Sequence, residues 1–220
     1  MSEYREGAIP PELIGTVIAL SDSTHQASEA LPSTFRIFQR LPDNEKPVVL
    51  RALITKLQPI ARYRQAIDVN FKRRFGTKLY KSTNDDIRAV LDMATPCRNE
   101  ADFVHKVQAL SGMIDRIQPN VKDLIADPVI RQRIQGSINI LERVLREKFG
   151  SFDPEIISNL RKINRLRNAS YPTHVLDERF VEELENMGFS YPPNDWSAVW
   201  EAVLELWSRS FKKLAELLSQ

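Results

Sequence analysis

Residues 153–174 read DPEIISNLRKINRLRNASYPTH. An aspartate followed by a proline is a preferred helix start, because the carboxylate caps free backbone N–H groups and proline fits the first turn. Apolar residues then recur at intervals of three and four, as on the buried side of a helix: Ile156, Ile157, Leu160, Ile163 and Leu166. Pro172 interrupts the pattern, since proline disfavours helical geometry in the residue before it. The stretch therefore predicts a helix over 154–170 with one apolar face.

The same start and stop signals recur on both sides of this stretch. Asp127-Pro128 begins an apolar-periodic segment that ends at Phe149-Gly150. A broad apolar face follows Asp195 and extends to Leu217, and a shorter periodic segment lies between Asp177 and Gly188. Together these patterns predict a C-terminal unit of four helices, three of them over 127–149, 154–170 and 195–218.

Residues 1–126 are punctuated by proline in the same way. Their apolar stripes predict helical segments after Pro10-Pro11, over 32–41, over 48–76 with a kink at Pro59, after Ser82-Thr83-Asn84, and over 99–118. No stretch alternates between apolar and polar residues as a strand would. The fold class is therefore predicted to be all-α, a helical bundle whose C-terminal four-helix unit is preceded by additional helices. We place a boundary near 119–127, which divides the chain into 1–126 and 127–220, although the two halves also fit one continuous helical body.

Composition excludes several classes of protein. The chain has 220 residues, a mean hydropathy of −0.34, and no apolar run of the roughly 18 residues that a membrane span needs. Cys97 is the only cysteine, which excludes an internal disulfide framework and a multi-thiolate metal site. The three histidines lie far apart, and no glycine-rich phosphate loop is present. We expect no metal, no cofactor and no membrane, and, without an apolar leader at the start, a cytoplasmic location.

The net charge of +2 hides an uneven distribution. Basic residues dominate 62–81 and 131–167, whereas acidic residues dominate 168–220. A basic face of this kind suits nucleic acid, and a set of solvated helix faces is the alternative. The predicted nucleic-acid contacts are Arg62, Arg64, Lys72, Arg73, Arg74 and Arg165. Tyr63, Phe71 and Tyr80 interleave the first cluster, either as a nucleic-acid surface or as core residues under it.

The residues that point to a reaction are Arg167, Asn168 and His174. Arg-Asn at the end of a helix, followed by a His after a few more residues, resembles the motif of the HEPN superfamily. Members of that superfamily are small helical bundles, many of which are metal-independent RNases. The resemblance covers residues 127–220 and includes one long helix before the motif helix and two after it. It implies a HEPN-like endoribonuclease of a toxin or phage-defence type.

The chemistry of these three side chains fits RNA cleavage. RNA carries its own nucleophile, the 2′-OH, so that no metal is required. A histidine that titrates near neutral pH can move the proton, and a guanidinium can hold the scissile phosphate. Asn168 can orient either group through a hydrogen bond. The resemblance also implies RNA as a partner, a homodimer that joins two motifs, and an antitoxin or nucleotidyltransferase as a further partner.

Two alternatives remain open on the sequence alone. Arg98-Asn99 and His105 repeat the motif's spacing, but Asn99 and Asp102 there are typical of a helix N-terminal cap. The second alternative is a non-catalytic helical module that binds protein or RNA. In that case Arg167 pairs with a nearby acid such as Asp177 or Glu178, and His174 is an ordinary turn residue.

Three tryptophans and the cysteine are predicted to be structural. Trp196, Trp200 and Trp207 recur at helical spacing, which is more typical of a core than of a base-stacking surface. Cys97 lies near a helix start, where its pKa could be lowered, but it has no catalytic partner in the sequence around it.

Overall fold

The computed structural model describes residues 11–12, 14–15, 35–81, 91–114, 116–169 and 178–220. The longer helical elements, in chain order, are α1 (Lys46–Ala52), a π-helical turn (Leu53–Leu57), α2 (Gln58–Phe75), α3 (Glu100–Ile114), a 3-10 helix (Pro119–Leu124), α4 (Pro128–Arg133), α5 (Ser137–Phe149), α6 (Glu155–Ala169), α7 (Glu178–Glu185) and α8 (Trp196–Ser219). The described residues contain no sheet strand, and one antiparallel bridge joins Tyr80 to Ile117. The all-α prediction is confirmed. Several predictions fall on residues outside this set: the caps at 82–84 and Asp177, and His174. The segment after Pro10-Pro11 lies almost wholly outside it.

The contacts of the chain divide it into two compact units. The first comprises Met1–Arg62 and Ser82–Pro96, and the second comprises Tyr63–Lys81 and Cys97–Gln220. The segment 119–127, where the sequence suggests a boundary, lies inside the second unit. Packing does not measure independent folding, so that separate domains over 1–126 and 127–220 stay a prediction.

In the first unit, α1 and the π-helical turn pack together and bury Val49, Leu53 and Leu57. The π turn lies directly before Pro59. Because proline has no N–H to donate, the regular helical hydrogen bond is lost at this position, and a widened turn accommodates the loss. The helix then continues through Pro59 as α2 and ends at Phe75. Gly76 follows with a φ of 77°, a conformation that favours glycine, so that the predicted stop is confirmed.

In the second unit, α6 is the central helix. It contacts α3, α5, α7 and α8, and α8 is its most extensive partner. The residues of α6 that face these neighbours are buried: Ile156, Ile157, Asn159, Leu160, Ile163, Leu166 and Ala169. The five apolar residues predicted from the sequence are all in this set. Their burial fixes the position of the helix that carries the Arg-Asn pair.

The single helix predicted over 127–149 is wrong. Asp127 caps α4 by accepting hydrogen bonds from the backbone of Val129 (2.8 Å) and Ile130 (3.1 Å), as expected, but α4 ends after two turns. Ile134 has an extended conformation and Gly136 has a φ of 81°, and α5 begins only at Ser137. The apolar spacing continues across the interruption, so that periodicity does not reveal the break between Ile134 and Gly136.

A short extended segment, 79–81, is held against α2 by a polar clamp. Asp68 accepts hydrogen bonds from the backbone N–H groups of Leu79 (3.1 Å) and Tyr80 (2.9 Å). Arg64 donates to the backbone oxygen of Lys81 (2.9 Å), and its guanidinium lies 5.4 Å from the centre of the Tyr80 ring. The only acid among the bases of 62–81 therefore has a structural task.

We expect Asp68→Ala to destabilise the second unit by about 1–3 kcal/mol, because it leaves two backbone N–H groups near the core without their acceptor. All three tryptophans of the chain lie in this unit, so that tryptophan fluorescence during urea denaturation reports on its unfolding. Asp123→Ala is the control, since Asp123 is exposed, and it should stay within about 0.5 kcal/mol of the wild type. Equal stability of the two variants would show that the clamp has no importance.

Candidate functional site

The last turn of α6 carries the Arg-Asn pair that the sequence singles out. Arg167 is partly buried, whereas Asn168 is exposed. Successive residues of a helix are about 100° apart, so that the two side chains leave α6 in different directions. Arg161, Arg165 and Asn168 recur at intervals of four and three residues and share one face. Asn168, and not Arg167, therefore lies on the same side of α6 as Arg161 and Arg165. His174 lies outside the described residues.

The second copy of the spacing forms a helix start, as predicted. Asn99 Oδ1 accepts from the backbone of Asp102 (2.9 Å), and Asp102 Oδ2 accepts from the backbone of Arg98 (3.2 Å). This reciprocal arrangement satisfies N–H groups that the first turn of α3 leaves free. His105 lies exposed on α3. The capping prediction for this copy is confirmed.

The basic residues predicted on α2 have different environments. Lys72 and Arg73 are exposed, and so is Arg62, which belongs to the first unit. Arg64 is 3% exposed, and a buried guanidinium cannot reach a ligand on the surface, so that we remove it from the predicted RNA-binding set. Arg74 donates to the backbone oxygen of Leu218 (2.9 Å) near the end of α8 and lies over the ring of Phe149. Its guanidinium therefore has a structural role as well.

The aromatic residues and the cysteine are structural where the burial is clear. Trp200, Trp207, Phe71 and Tyr80 are all buried, as the core interpretation predicts. Burial raises the pKa of the Cys97 thiol to about 11. A thiol with that pKa contains almost no thiolate at neutral pH, and it is therefore not an activated nucleophile.

A groove with a volume of about 620 Å³ lies between α5, the 150–154 loop and α6. Ionised and aromatic side chains line much of it: Glu142, Arg146, Phe152, Arg161, Lys162 and Arg165. Four of these six are cationic and one is anionic. Of them, only Arg165 is among the contacts that the sequence predicted. Arg161, Lys162 and Arg165 follow helical spacing opposite the apolar stripe, which is the signal that could have found the cationic face of α6.

Glu142 forms ion pairs with two of the cations that line the groove, Arg146 and Arg161. Its carboxylate accepts from Arg146 (2.8 Å) and from Arg161, and burial leaves the Glu142 side chain only 17% exposed. Burial tends to raise the pKa of Glu142, but the hydrogen bonds from Arg146 and Arg161 outweigh it, so that its pKa lies below the usual value. Glu142 therefore stays ionised throughout the neutral range.

Arg165 is also held by a carboxylate, which belongs to a different helix. It forms a two-point ion pair with Glu183 of α7, one of whose contacts is 3.3 Å long. Glu183 is buried, whereas the Arg165 side chain remains about half exposed at 52%. The carboxylate thus binds the Nε and one terminal nitrogen of the guanidinium, and the rest of the Arg165 side chain remains partly in solvent.

Comparison with protein-family models, curated proteins and solved structures gave no match. The resemblance to the HEPN superfamily rests on the Arg-Asn-His motif and on the order of helices around it. In the described part of the chain, no helix has the length and apolarity needed to cross a membrane. No group of three or more His, Cys, Asp or Glu side chains in that part is placed to hold a metal ion.

Proposed function

We propose that the chain is a HEPN-like, metal-independent endoribonuclease with Arg167, Asn168 and His174 as its catalytic residues. The observation that carries the proposal is the position of the Arg-Asn pair. It ends the central helix of the second unit, and the same helix provides three cations to a basic groove. Packing against four other helices fixes α6, so that Arg167 and Asn168 have a rigid support, which a catalytic geometry requires.

In the proposed reaction, His174 accepts the proton of an RNA 2′-OH, and the 2′ oxygen attacks the adjacent phosphorus. The bond from phosphorus to the 5′ oxygen breaks, the 5′ oxygen takes up a proton, and a 2′,3′-cyclic phosphate remains. Arg167 stabilises the charge on the phosphate oxygens during this step. Asn168 orients the phosphate or His174 through a hydrogen bond.

The HEPN-like unit would consist of α5, α6, α7 and α8. In this assignment α5 is the helix before the motif helix, and α7 and α8 are the two after it. The described structure adds α3, which packs against both α6 and α8. An antitoxin or nucleotidyltransferase partner, and a role in toxin or phage-defence systems, belong to the same proposal.

A homodimer would bring two motifs together and supply a second histidine as the proton donor. The broad apolar face of α8 offers no surface for this dimer. That face is buried within the single chain: Val199, Trp200, Val203, Trp207, Phe211 and Leu214 are at most 3% exposed. The dimer therefore depends on the need for a second motif, and we expect light scattering at tens of micromolar to give twice the monomer mass. A monomer with full activity would contradict it.

The basic groove also favours a second candidate function, a non-catalytic RNA-binding module. Cations that bind phosphate do not need His174, and so the groove would serve either function. The two candidates differ in whether RNA is cut.

The test is incubation of the purified protein with a random-sequence pool of single-stranded RNA in EDTA. The pool removes the need to know the preferred sequence, and EDTA removes free divalent metals. We expect cleavage at an unchanged rate in EDTA and none of a DNA pool of the same length. Loss of cleavage in EDTA would exclude the proposed mechanism, and RNA that is bound but uncut would favour the binding module.

A further inference from the structure

The groove between α5 and α6 has the size and charge of a binding site for part of a nucleic acid. Its volume of about 620 Å³ is within the roughly 300–1,000 Å³ typical of ligand sites. The groove is lined by four cations and a single carboxylate, Glu142; the cations are Arg146, Arg161, Lys162 and Arg165. When Glu183, which pairs with Arg165 from outside the groove, is included, the cations remain in excess. An anionic ligand is therefore favoured.

The guanidinium groups are arranged so that they can bind a further anion. The side chains of Arg146 and Arg161 are 62% and 42% exposed although both are bonded to Glu142. A guanidinium has five N–H donors. Arg146 donates two of them to Glu142, and Arg161 donates one to Glu142 and one to Asn139, so that both guanidinium groups keep donors for a phosphate. Because Glu142 already orders the two arginine side chains, these side chains lose less conformational entropy when a ligand binds.

Lys162 provides a cation without such a restraint. It lines the groove between Arg161 and Arg165, and within the described residues it forms no salt bridge. A flexible ammonium group of this kind contacts phosphate as a point charge. Its removal should weaken binding without disturbing the ion pairs of its neighbours.

Phe152 adds an aromatic surface at the wall of the groove. Its ring is half-buried, and the guanidinium carbon of Arg146 lies over one face of it, 5.9 Å from the ring centre. Unstacked bases bind proteins by stacking on such rings, whereas the bases of a duplex are already stacked on one another. A base would stack on the ring face that Arg146 does not cover, and cations combined with such a ring favour a single strand over a duplex.

The face of α6 that carries Arg161 and Arg165 extends beyond the groove to the proposed motif. Asn168 is exposed on the α6 face that carries Arg161 and Arg165, about 10 Å along the helix from Arg161. We propose that the groove binds single-stranded RNA, with Arg146, Arg161, Lys162 and Arg165 on the backbone phosphates and one base stacked on Phe152. The strand then runs along α6 toward Asn168. The inference rests on the proposed function for the identity of the polymer, but binding in the groove does not require cleavage.

The test measures binding in a His174→Ala background, so that the RNA stays intact. Fluorescence anisotropy with a labelled random-sequence RNA, at several salt concentrations, gives the affinity and its salt dependence. Lys162→Gln should weaken binding severalfold and reduce the slope of log K against log salt by about 0.7, as expected for one lost phosphate contact. Lys212→Gln is the matched control, since Lys212 is an exposed lysine of α8 that does not line the groove, and it should leave both values unchanged.

A second variant tests the stacking. Phe152→Ala should weaken binding about tenfold with an unchanged salt slope, and Phe152→Tyr should restore the affinity because it keeps the ring. A duplex of the same sequence should bind more weakly than the single strand. Equal affinity of Lys162→Gln and Lys212→Gln, equal affinity for duplex and single strand, or absence of RNA binding at low salt would each overturn the inference.

Failure of the groove and failure of the proposed function can be distinguished. Cleavage by the wild type together with unaffected binding in Lys162→Gln and Phe152→Ala would refute the groove and leave the RNase proposal intact. Groove-dependent binding without cleavage would refute the RNase proposal and leave the groove intact.

Discussion

His174→Ala is expected to lower the rate of RNA cleavage by about 100-fold or more. The reason is the loss of the only group in the motif that can move a proton near neutral pH, and positioned acid–base groups contribute about 10²–10⁴ in rate. Arg167→Ala should cause a loss of similar size, because charge on the phosphate oxygens is then no longer stabilised. Both are measured as initial rates on RNA in EDTA.

The chain contains its own control for this experiment. Arg98 and His105 have the same spacing as Arg167 and His174. Arg98, however, belongs to the capped start of α3, and His105 lies on that helix. Arg98→Ala and His105→Ala should therefore retain nearly full activity. If His105→Ala lost as much activity as His174→Ala, or if His174→Ala were fully active, the assignment of the motif would be wrong.

Phe103→Ala is expected to have the largest effect on stability, about 3–5 kcal/mol. Phe103 is fully buried and contacts aromatic rings of two other helices: Phe180 of α7 at 6.1 Å between ring centres, and Trp196 and Trp200 of α8 at 5.4 and 6.4 Å. Truncation leaves a cavity where α3, α7 and α8 meet. At about 2–4 °C per kcal/mol for a protein of this size, the melting temperature should fall by roughly 10 °C.

Tryptophan fluorescence during thermal unfolding measures this effect, because two of the three tryptophans lie against Phe103. Phe103→Leu keeps most of the apolar volume and should lose about a third as much stability. A Phe103→Ala variant that melts within 2 °C of the wild type would show that the aromatic cluster does not hold these helices together.

Local signals in the sequence predict most of the second unit. The caps at Asp127 and Asp195, the helix start at Asn99 and the buried stripe of α6 are each encoded within a few residues, and each is found in the structure. Gly136 shows where such signals fail. α4 ends where Ile134 becomes extended, and Gly136, with a positive φ, precedes α5, while the apolar spacing continues, so that periodicity alone joins the two.

The groove could not be predicted in the same way, since it depends on residues that are far apart in the chain. Glu142 and Arg161 lie on different helices and meet only after α5 packs against α6. Arg64 shows the converse. The sequence places it in a basic cluster, but its contact with the backbone of Lys81 puts it inside the fold. Charge counts along a sequence do not separate cations that face a ligand from cations that hold the chain.

We expect the 2′-OH of RNA to be the nucleophile and His174 to move its proton. The most direct measurement is the chemical identity of the 3′ ends that the wild-type protein produces from single-stranded RNA in EDTA. We expect 2′,3′-cyclic phosphate ends, with 5′-hydroxyl ends on the other fragment, and at least 100-fold fewer of both with His174→Ala. Ends that carry a 3′-hydroxyl and a 5′-phosphate would show that water attacked the phosphorus and that the 2′-OH is not the nucleophile.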